Sequence, residues 1–341
     1  RDDVESRGLG DVYKRQMYDS IHLVIKESDL DSPLSFLEEI PCKIDLDKRK
    51  CTQYSVFGHI EKMSVMVNGA TLSILGSLST WNRGNNIYGI EFKDIKNAID
   101  SLGKCLGVPL DKAIVKRIDV GQSFKMDFLP HLYYPSLYHL NKFGRSDLKV
   151  TSLYFGKKSK KEDGGNLALV FYDKNAQLRK KGDSYPLVQK SLNLLRYEFR
   201  IKDTKTYFKR DIRCFELFSA DFYRYVIRLW YSMYCNIDKR LEILEELYNP
   251  KFNGVNELND SCVALCIHAF DIEKAIEIAS EKGMITPQNK HNVLKRVKKI
   301  KEGLVNLNLG PSLIDELSEK IEAEYKRQLE ELEKYSDSLP S

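Results

Sequence analysis

The sequence lacks long hydrophobic runs. No stretch of about 18 consecutive apolar residues occurs in its 341 residues, which excludes a transmembrane helix of ordinary length. Proline and glycine are scarce, with 10 and 19 residues, while hydrophobic residues make up 42% of the chain. Collagen-like, low-complexity and globally disordered chains are thereby excluded. The length suits two domains of ordinary size, with a core that needs neither disulfides nor metals.

Paired cysteine and histidine motifs are missing as well. The seven cysteines are odd in number and form no C-x-x-C pair, which favours reduced thiols in a cytoplasm over a disulfide framework or zinc ribbon. The six histidines contain no His-hydrophobic-His pair, so a metal site would have to be built from carboxylates, which suits Mg²⁺ or Mn²⁺. Cys262, Cys266 and His268 are close in sequence, but His268 falls to the side of the cysteine pair, and core packing is the favoured interpretation.

The first sixteen residues differ in character from the rest. Residues 1–16 precede the first methionine, Met17, and show neither a hydrophobic period nor a secretory signal. Their end, DVYKRQ at 11–16, looks like the translation of a transposase adapter used in sequencing libraries. We therefore expect segment 1–16 to be non-native and the protein to begin at Met17; a natural disordered tail is the alternative.

The net charge of +5 is unevenly distributed along the chain. Segment 141–213 holds nineteen Lys and Arg against eight Asp and Glu, whereas 312–341 holds nine acidic and four basic residues. A basic segment of this kind suits a phosphate-backbone partner such as DNA. A solvated lysine-rich surface is the alternative.

Apolar alternation predicts strands in the first two thirds of the chain. The predicted strands are 17–26, the two sides of Asn68-Gly69, 87–92, 114–124, 150–155, 167–172 and 194–202. Asn68-Gly69 predicts a type I′ hairpin, and Asp94 is expected to cap a helix that ends near Leu106. Segment 125–145 reads as a long connection.

From Phe215 onward the apolar period becomes helical. We predict an α+β fold, with a largely antiparallel catalytic sheet and flanking helices at 17–214 and an all-α region at 215–341. An amphipathic helix at 215–234 is expected to cover the sheet. The basic amphipathic stretch 291–301 could read DNA, and 315–334 predicts either a short coiled coil or a solvated closing helix.

Three of the predicted strands place ionisable side chains opposite their apolar residues. Alternation puts Arg196, Glu198, Arg200 and Lys202 on one face, and Arg117 with Asp119 on one face of an earlier strand. A metal-binding carboxylate on a DNA-facing surface and a solvated face with cross-strand ion pairs both remain open.

Tyr172 ends the strand 167–172, opposite its apolar residues, and Asp173 and Lys174 follow directly. A tyrosine can attack a phosphodiester if its pKa, about 10, is lowered or a metal polarises the phosphate. A packed core tyrosine is the alternative. The strand before it ends in a glycine turn with lysines at 157, 158 and 160. This turn could bind phosphates or be an ordinary hairpin turn.

Taken in order, these segments resemble the replication-initiation proteins of filamentous phages, the gene II/gene X group, and related rolling-circle plasmid initiators. The matching pieces are YGIEF (88–92), KRIDVGQSF (116–124), TSLYFGKKS (151–159), LVFYDKNAQ (169–177), LRYEFRIK (195–202) and TYFKRD (206–211). The resemblance implies a DNA-strand endonuclease whose tyrosine attacks at the origin, stays joined to the 5′ phosphate and leaves a 3′-hydroxyl.

Carried over by motif, the resemblance makes Tyr172 the nucleophile, with Tyr154 and Tyr207 as runners-up. Asp119, Glu198 and, more weakly, Glu91 match metal-site carboxylates that would hold Mg²⁺ or Mn²⁺. The chain departs from its relatives at Gln177, where they usually have Glu. The remaining matched residues are the cations that would stabilise or position phosphates: Arg117, Lys157, Lys158, Lys160, Lys174, Arg196, Arg200 and Lys202.

The same resemblance implies origin DNA as partner, in the cytoplasm of a bacterial host and with no membrane. A host helicase, a polymerase and a second copy of the chain are further expected partners. Two alternatives stay open: a non-catalytic DNA-binding replication regulator, and a relaxase or transposase-type nickase.

Overall fold

The structure is a computed structural model. It describes residues 17–31, 34, 45–47, 50–52, 55–84, 90–149, 151–157, 165–181, 193–239, 254–256, 259–260, 262–263, 272–306 and 313–337. The segment 1–16, predicted to be non-native, lies outside the described residues.

One large antiparallel sheet dominates the fold. The strands in chain order are β1 (Tyr18–Lys26), β2 (Asp45–Leu46), β3 (Ser55–Ile60), β4 (Met63–Asn68), β5 (Thr71–Ser77), β6 (Ile114–Met126), β7 (Leu137–Leu140), β8 (Phe143–Lys149), β9 (Ser152–Lys157), β10 (Leu167–Asp173), β11 (Asn193–Ile201), β12 (Ile212–Arg213) and β13 (Ile237–Lys239). Eleven of them form the sheet in the order β2-β3-β4-β5-β1-β6-β11-β10-β9-β8, with β12 beside β6, and β7 pairs with β13. Strands β1, β6, β11 and β10 therefore lie side by side.

Helices follow or interrupt the strands. They are α1 (Leu78–Arg83), α2 (Phe92–Leu106), α3 (Lys174–Lys181), α4 (Thr204–Phe208), α5 (Ala220–Cys235), α6 (Ile272–Glu281), α7 (Pro287–Asn306) and α8 (Leu313–Asp337). The α+β prediction is thus confirmed, with helices flanking the sheet and dominating the C-terminal third.

The chain divides into two compact units. The first comprises 1–131, 140–237 and 320–341, and it contains the large sheet, α5 and most of α8. The second comprises 132–139 and 238–319, and it contains α6 and α7. The domain boundary placed after residue 214 in the sequence stays a prediction.

Helix α5 packs on one face of the sheet, as its apolar, tyrosine-rich sequence predicts. The Tyr197 hydroxyl donates to the Trp230 carbonyl at 3.0 Å, and the two ring centroids are 5.1 Å apart. At the other end of the helix, Tyr223 meets Tyr18 of β1 edge to face at 5.4 Å. The predicted single helix at 215–234 is in fact two segments, because a 3₁₀ turn at Cys214–Phe218 precedes α5.

Helix α8 closes over α5 instead of being solvated. Its Gln328 side chain accepts a hydrogen bond from the Tyr223 hydroxyl at 2.8 Å, and Tyr325 stacks on Tyr231 with centroids 4.2 Å apart. The alternative of a solvated closing helix is therefore wrong for this part of α8. Helix α5, covered by α8, lies on one face of the central strands. The polar side chains of these strands lie on the opposite face.

Several local expectations are wrong. The strand predicted at 87–92 is wrong at its end, because α2 begins at Phe92 with Glu91 as its N-cap and Asp94 lies in the first turn. Residues 87–89 of that prediction lie outside the described residues. The hairpin after Asn68 has a positive φ only at Gly69, whereas a type I′ turn needs two such residues. The predicted connection 125–145 contains β7 and the start of β8, and β13 lies in the region predicted to be all-α.

Cysteine chemistry also differs from expectation at two positions. Cys105 is disulfide-bonded, so the prediction of seven reduced thiols is wrong there. Cys262 is exposed, which contradicts core packing at that residue, while Cys266 and His268 lie outside the described residues. Within the described residues, no helix is long and apolar enough to cross a membrane.

Candidate active site

Three neighbouring strands, β1, β6 and β11, bring three carboxylates and three arginines together on the sheet face opposite α5. In the antiparallel register, Glu198 of β11 lies opposite Gly121 of β6, and Arg200 lies opposite Asp119. We call the six ionised side chains the charge cluster: Asp19, Arg117, Asp119, Arg196, Glu198 and Arg200. Equal numbers of carboxylates and guanidiniums leave the cluster with no net charge when all are ionised.

Glu198 is the centre of the cluster and is almost completely buried. Its Oε1 accepts from the Tyr172 hydroxyl and from Arg196 Nε, both at 2.6 Å. Its Oε2 accepts from Arg200 Nη2 at 2.7 Å and Nε at 2.9 Å. Burial alone would raise the pKa of Glu198, but the charges of Arg200 and Arg196 outweigh it and hold the pKa below its usual range. Glu198 is therefore ionised at neutral pH.

The backbone opposite Glu198 carries no side chain, and the geometry requires this. A Cβ at Gly121 would lie 2.5 Å from Glu198 Cγ and 3.0 Å from the Tyr197 carbonyl oxygen. Such contacts are far inside van der Waals distance, so any residue other than glycine would have to displace the Glu198 side chain. Gly121 thus fixes where the carboxylate lies.

Tyr172 lies on the same face, at the end of β10, and only 7% of it is exposed. Burial raises the pKa of Tyr172 well above its usual value of 10, and the negative charge of Glu198 raises it further, with Arg196 opposing. A lowered pKa, one of the two conditions named from the sequence for attack on a phosphodiester, is therefore not met in this arrangement. The phenol is protonated as arranged, with its proton directed at Glu198.

Asp119 forms a second ion pair within the cluster. Arg117, two residues earlier on β6, donates from Nε to Oδ1 at 2.8 Å and from Nη2 to Oδ2 at 2.5 Å. Arg200 Nε is 3.9 Å from Oδ2. Burial raises the pKa of Asp119 to about 6 although the Arg117 guanidinium lowers it. The alternation of β6 correctly places both side chains on one face.

Asp19 is a cluster member that the sequence did not indicate. Its Oδ2 lies 3.0 Å from Arg196 Nη2, and its Oδ1 accepts from the Ser77 hydroxyl at 3.2 Å. Burial lowers the pKa of the Arg196 guanidinium, but Asp19, Tyr172 and Glu198 raise it by more, so the net shift is upward. A run of strict alternation would put Asp19 on the same face as Ile21, and a register shift between Tyr18 and Ile21 breaks that run.

Two further matched residues, Lys174 and Tyr154, lie beside Tyr172. Lys174 is fully buried at the start of α3, where its Nζ donates to Gln177 Oε1 at 2.9 Å and lies 5.8 Å from the Tyr172 ring centroid. Tyr154 packs against the apolar side chains of β10 next to Tyr172, and its hydroxyl accepts from Lys202 Nζ at 3.2 Å. Gln177, where relatives usually have Glu, therefore accepts a hydrogen bond from Lys174 in this structure.

Other predicted site residues lie elsewhere. Glu91 is at the N-terminus of α2 in an ion pair of 2.7 Å with Lys93. Tyr207 on α4 packs edge to face on Phe199, whose ring belongs to the opposite face of β11. Lys157 ends β9, opposite Phe143. Lys158 and Lys160 lie outside the described residues.

The donor set does not fit the predicted Mg²⁺ or Mn²⁺ site. Both oxygens of Glu198 and both of Asp119 accept hydrogen bonds from guanidinium groups. Three arginines beside the carboxylates also repel a divalent cation. Among the described residues, no group of three or more His, Cys, Asp or Glu side chains is placed to hold a metal ion, so Glu91 does not complete a carboxylate trio.

Comparison with known proteins identifies a family and shows similarity to solved structures. The Phage CRI family, described as the N-terminal part of a replication-associated protein, matches residues 17–215. A rolling circle replication initiator protein from Geobacillus stearothermophilus is similar with 15% sequence identity and a TM-score of 0.38, over 72% of this chain and 90% of that chain; a likeness of this degree carries no argument about the site. No curated protein matches the chain. The residues matched by the family include Tyr172 and the whole charge cluster.

Proposed function

The chain belongs to the Phage CRI family of replication-associated proteins, and on this basis we propose that it initiates rolling-circle replication of a phage or plasmid by nicking one strand of origin DNA with Tyr172. The observation that carries the proposal is the 2.6 Å hydrogen bond from the Tyr172 hydroxyl to Glu198, on a sheet face that holds three arginines. A nucleophile bound to a carboxylate, with cations nearby, suits attack on a phosphodiester.

In the proposed step, the Tyr172 oxygen bonds to phosphorus while Glu198 accepts the phenolic proton. The bond between phosphorus and the 3′ oxygen of the preceding nucleotide breaks. The 3′ oxygen takes a proton from water, which yields a free 3′-hydroxyl and a 5′-phosphotyrosyl ester. The base and the nucleophile are already in hydrogen-bond contact, as general-base catalysis requires.

Phosphate binding would also change the basicity of Glu198. In the DNA-free arrangement Arg196 and Arg200 hold the pKa of this carboxylate low, so it is a weak base. A DNA phosphate, like a carboxylate, accepts two parallel hydrogen bonds from a guanidinium and can therefore compete for Arg200. Transfer of Arg200 from Glu198 to the phosphate would raise the pKa of Glu198 and stabilise the charge that develops on phosphorus.

The other matched cations have subordinate proposed roles. Lys174 lies close enough to the Tyr172 ring to stabilise the phosphotyrosyl ester of Tyr172. Lys202, beside Tyr154, would stabilise the phosphate charge that develops in the reaction. Arg117 is partly exposed at the edge of the charge cluster and would position the DNA backbone. Lys157, Lys158 and Lys160 keep the same role as a proposal from the resemblance. The expected helicase, polymerase and second copy also stay predictions.

A non-catalytic DNA-binding regulator is the second candidate function. The observation that favours it is the burial of Tyr172, whose raised pKa keeps it protonated. Nicking requires a movement that brings this hydroxyl to a phosphate, whereas binding alone does not. The two functions therefore differ in one product, the covalent tyrosyl-DNA ester.

The test uses the full chain and supercoiled DNA from its own genetic element. Purified wild-type protein and Tyr172→Phe are incubated with labelled DNA and Mg²⁺, then separated under denaturing conditions. We expect a denaturation-resistant adduct with the wild type and none with Tyr172→Phe, while both proteins bind DNA with equal affinity. The matched controls are Tyr154→Phe and Tyr207→Phe, which remove the same hydroxyl elsewhere.

An adduct that persists in Tyr172→Phe and disappears in one of the control variants would move the nucleophile to that residue. If the wild type binds its origin and yields neither nick nor adduct, the regulator is the correct function. Glu198→Gln keeps the shape of the side chain but is a far weaker base, so it should slow adduct formation by at least about 100-fold.

A further inference from the structure

Helices α6 and α7 of the second unit form a helical hairpin with a defined turn. At the end of α6, Gly283 has φ +68°, and the Met284 amide donates to the Ala279 carbonyl at 2.8 Å. This pattern is a C-terminal cap that needs a left-handed residue, which glycine supplies without strain. The chain therefore leaves α6 in a fixed direction.

The start of α7 is equally well defined by its sequence. Thr286 precedes the helix, and its hydroxyl accepts from the Asn289 amide at 3.3 Å. Pro287 occupies the first helical position, where the missing amide proton costs nothing. A short turn between two capped helices is the connection used in helix-turn-helix proteins, which place the second helix in the DNA major groove.

The two sides of α7 differ sharply in chemistry. Val297 is 2% exposed, and Leu294 and Ile300 are half-buried on the same side. The opposite side carries exposed amide, imidazole and ammonium groups: Gln288, His291, Asn292, Lys295, Lys298 and Lys299. Within α7, six Lys and Arg stand against a single acidic residue, Glu302.

Four of these exposed residues form one line along the helix. Gln288, Asn292, Lys295 and Lys299 follow each other at intervals of four, three and four residues, which places them on one stripe. We call this stripe the α7 face. Its N-terminal half presents amides and its C-terminal half presents ammonium groups.

We propose that the α7 face binds duplex DNA of the origin, with α7 lying in the major groove. The inference rests on the proposed function for its target and adds a second contact surface to it. Amide side chains recognise adenine edges, and lysines neutralise phosphates. A 20-residue helix is about 30 Å long and fits a groove about 12 Å wide.

Charge complementarity favours DNA over an acidic protein as the occupant. Arg296 on the flank of the helix is already paired with Asp260 at 2.7 Å, whereas Lys295 and Lys299 are exposed on the α7 face. An acidic protein partner would need only the lysines. The amides at the N-terminal end of the same stripe fit base edges, which the N-terminal residues of a recognition helix contact.

The test measures duplex binding by the full chain at several salt concentrations. The variant Lys295→Gln/Lys299→Gln is compared with Lys326→Gln/Lys334→Gln, which removes the same charge from exposed positions of α8. Loss of two phosphate contacts should make the slope of log affinity against log salt less negative by about 1.8 in the first variant only. Asn292→Ala should reduce the preference for origin-flanking over unrelated duplex by roughly tenfold.

Adduct formation on a single-stranded oligonucleotide that carries the nick site separates this inference from the proposed function. We expect the α7 variants to form that adduct at the wild-type rate. If Lys295→Gln/Lys299→Gln binds duplex as tightly as the wild type, or if both double variants lose affinity equally, the α7 face is a solvated surface and the inference is wrong. If the wild type shows the expected duplex binding but no adduct, the nicking proposal fails and the inference stands.

Discussion

Asp19 of β1 and Arg196 of β11 form an ion pair with 3.0 Å between Oδ2 and Nη2, although β6 lies between their strands. Arg196 crosses β6, where its Nη1 donates to the Ser123 hydroxyl at 3.1 Å, and its Nε reaches Glu198. The Asp19 and Arg196 side chains are only 7% and 6% exposed. Asp19 therefore orients the guanidinium that contacts the proposed base.

Replacement of Asp19 by asparagine should lower the free energy of unfolding by about 1–3 kcal/mol. The amide keeps the shape of the side chain but leaves the buried Arg196 guanidinium with one charged partner fewer, and such buried groups are costly. Urea denaturation of wild type and Asp19→Asn measures the difference. Asp221→Asn is the matched control, because Asp221 is 94% exposed in its 2.9 Å pair with Arg224, and it should change stability by less than about 0.5 kcal/mol. Equal effects would show that Asp19 does not hold a buried charge.

Gly121→Ala should destabilise the fold by about 1–3 kcal/mol, because the new methyl group overlaps Glu198 Cγ and must displace it. The same displacement should break the hydrogen bond between Tyr172 and Glu198 and reduce adduct formation. Urea denaturation and the adduct assay measure the two effects. At Gly254 a new Cβ meets nothing within 4 Å, so Gly254→Ala should leave both unchanged. A fully active and stable Gly121→Ala would mean that Glu198 does not need its present position.

Alternation in the sequence correctly predicts which side chains share the sheet face of the charge cluster. Glu198 and Arg200 lie on one face of β11 and Tyr197 on the other, because a strand directs successive side chains to opposite sides. The same rule places Arg117 with Asp119 on β6. Regular strands in the middle of a sheet leave little room for other outcomes, so these positions could be read from the sequence.

The rule fails where the backbone is irregular. Alternation does not predict the position of the Asp19 side chain, because the pairing of β1 with β6 shifts register between Tyr18 and Ile21. The sequence of β1 alone does not show this shift. Glu91 reads as part of a strand, but Phe92 is the first buried residue of an amphipathic helix and the helical period takes precedence. The raised pKa of Tyr172 depends on burial, which arises from packing between distant segments. The position of Asp19, the helical start at Glu91 and the raised pKa of Tyr172 therefore cannot be inferred from single segments of the sequence.

The raised pKa of Asp119 predicts a specific dependence of stability on pH. The pKa is about 6 in the folded protein against an ordinary value of 3.8, so the folded state holds more protons at this site between these two values. Protons held by the folded state favour it at low pH. The contribution of Asp119 to the free energy of unfolding should therefore fall as pH rises from about 4 to about 6, by about 1.4 kcal/mol per pKa unit, and then stay constant.

Urea denaturation of wild type and Asp119→Asn in EDTA, at intervals between pH 4 and pH 8, isolates this effect. The variant lacks the titrating group, whereas the other carboxylates, including Glu198, are common to both proteins. We expect the wild type to lose stability relative to the variant across the window and to run parallel to it at higher pH. A difference that rises with pH would mean that the Arg117 pair, and not burial, controls the Asp119 carboxyl.

The donor set of the charge cluster predicts how the DNA-free protein responds to Mn²⁺. Arginines occupy both oxygens of Asp119 and of Glu198, so a divalent cation must displace guanidinium groups before it can bind. Calorimetric titration of EDTA-treated protein with Mn²⁺ should show no saturable binding that Asp119→Asn or Glu198→Gln abolishes. Tight binding that is lost in both variants, yet retained in Glu91→Gln, would establish that Asp119 and Glu198 are metal ligands, as the resemblance in sequence implies. The titration is then repeated with bound origin DNA. If Mn²⁺ binds the complex but not the free protein, the metal site forms only when DNA phosphates pair with Arg196 and Arg200 in place of the carboxylates.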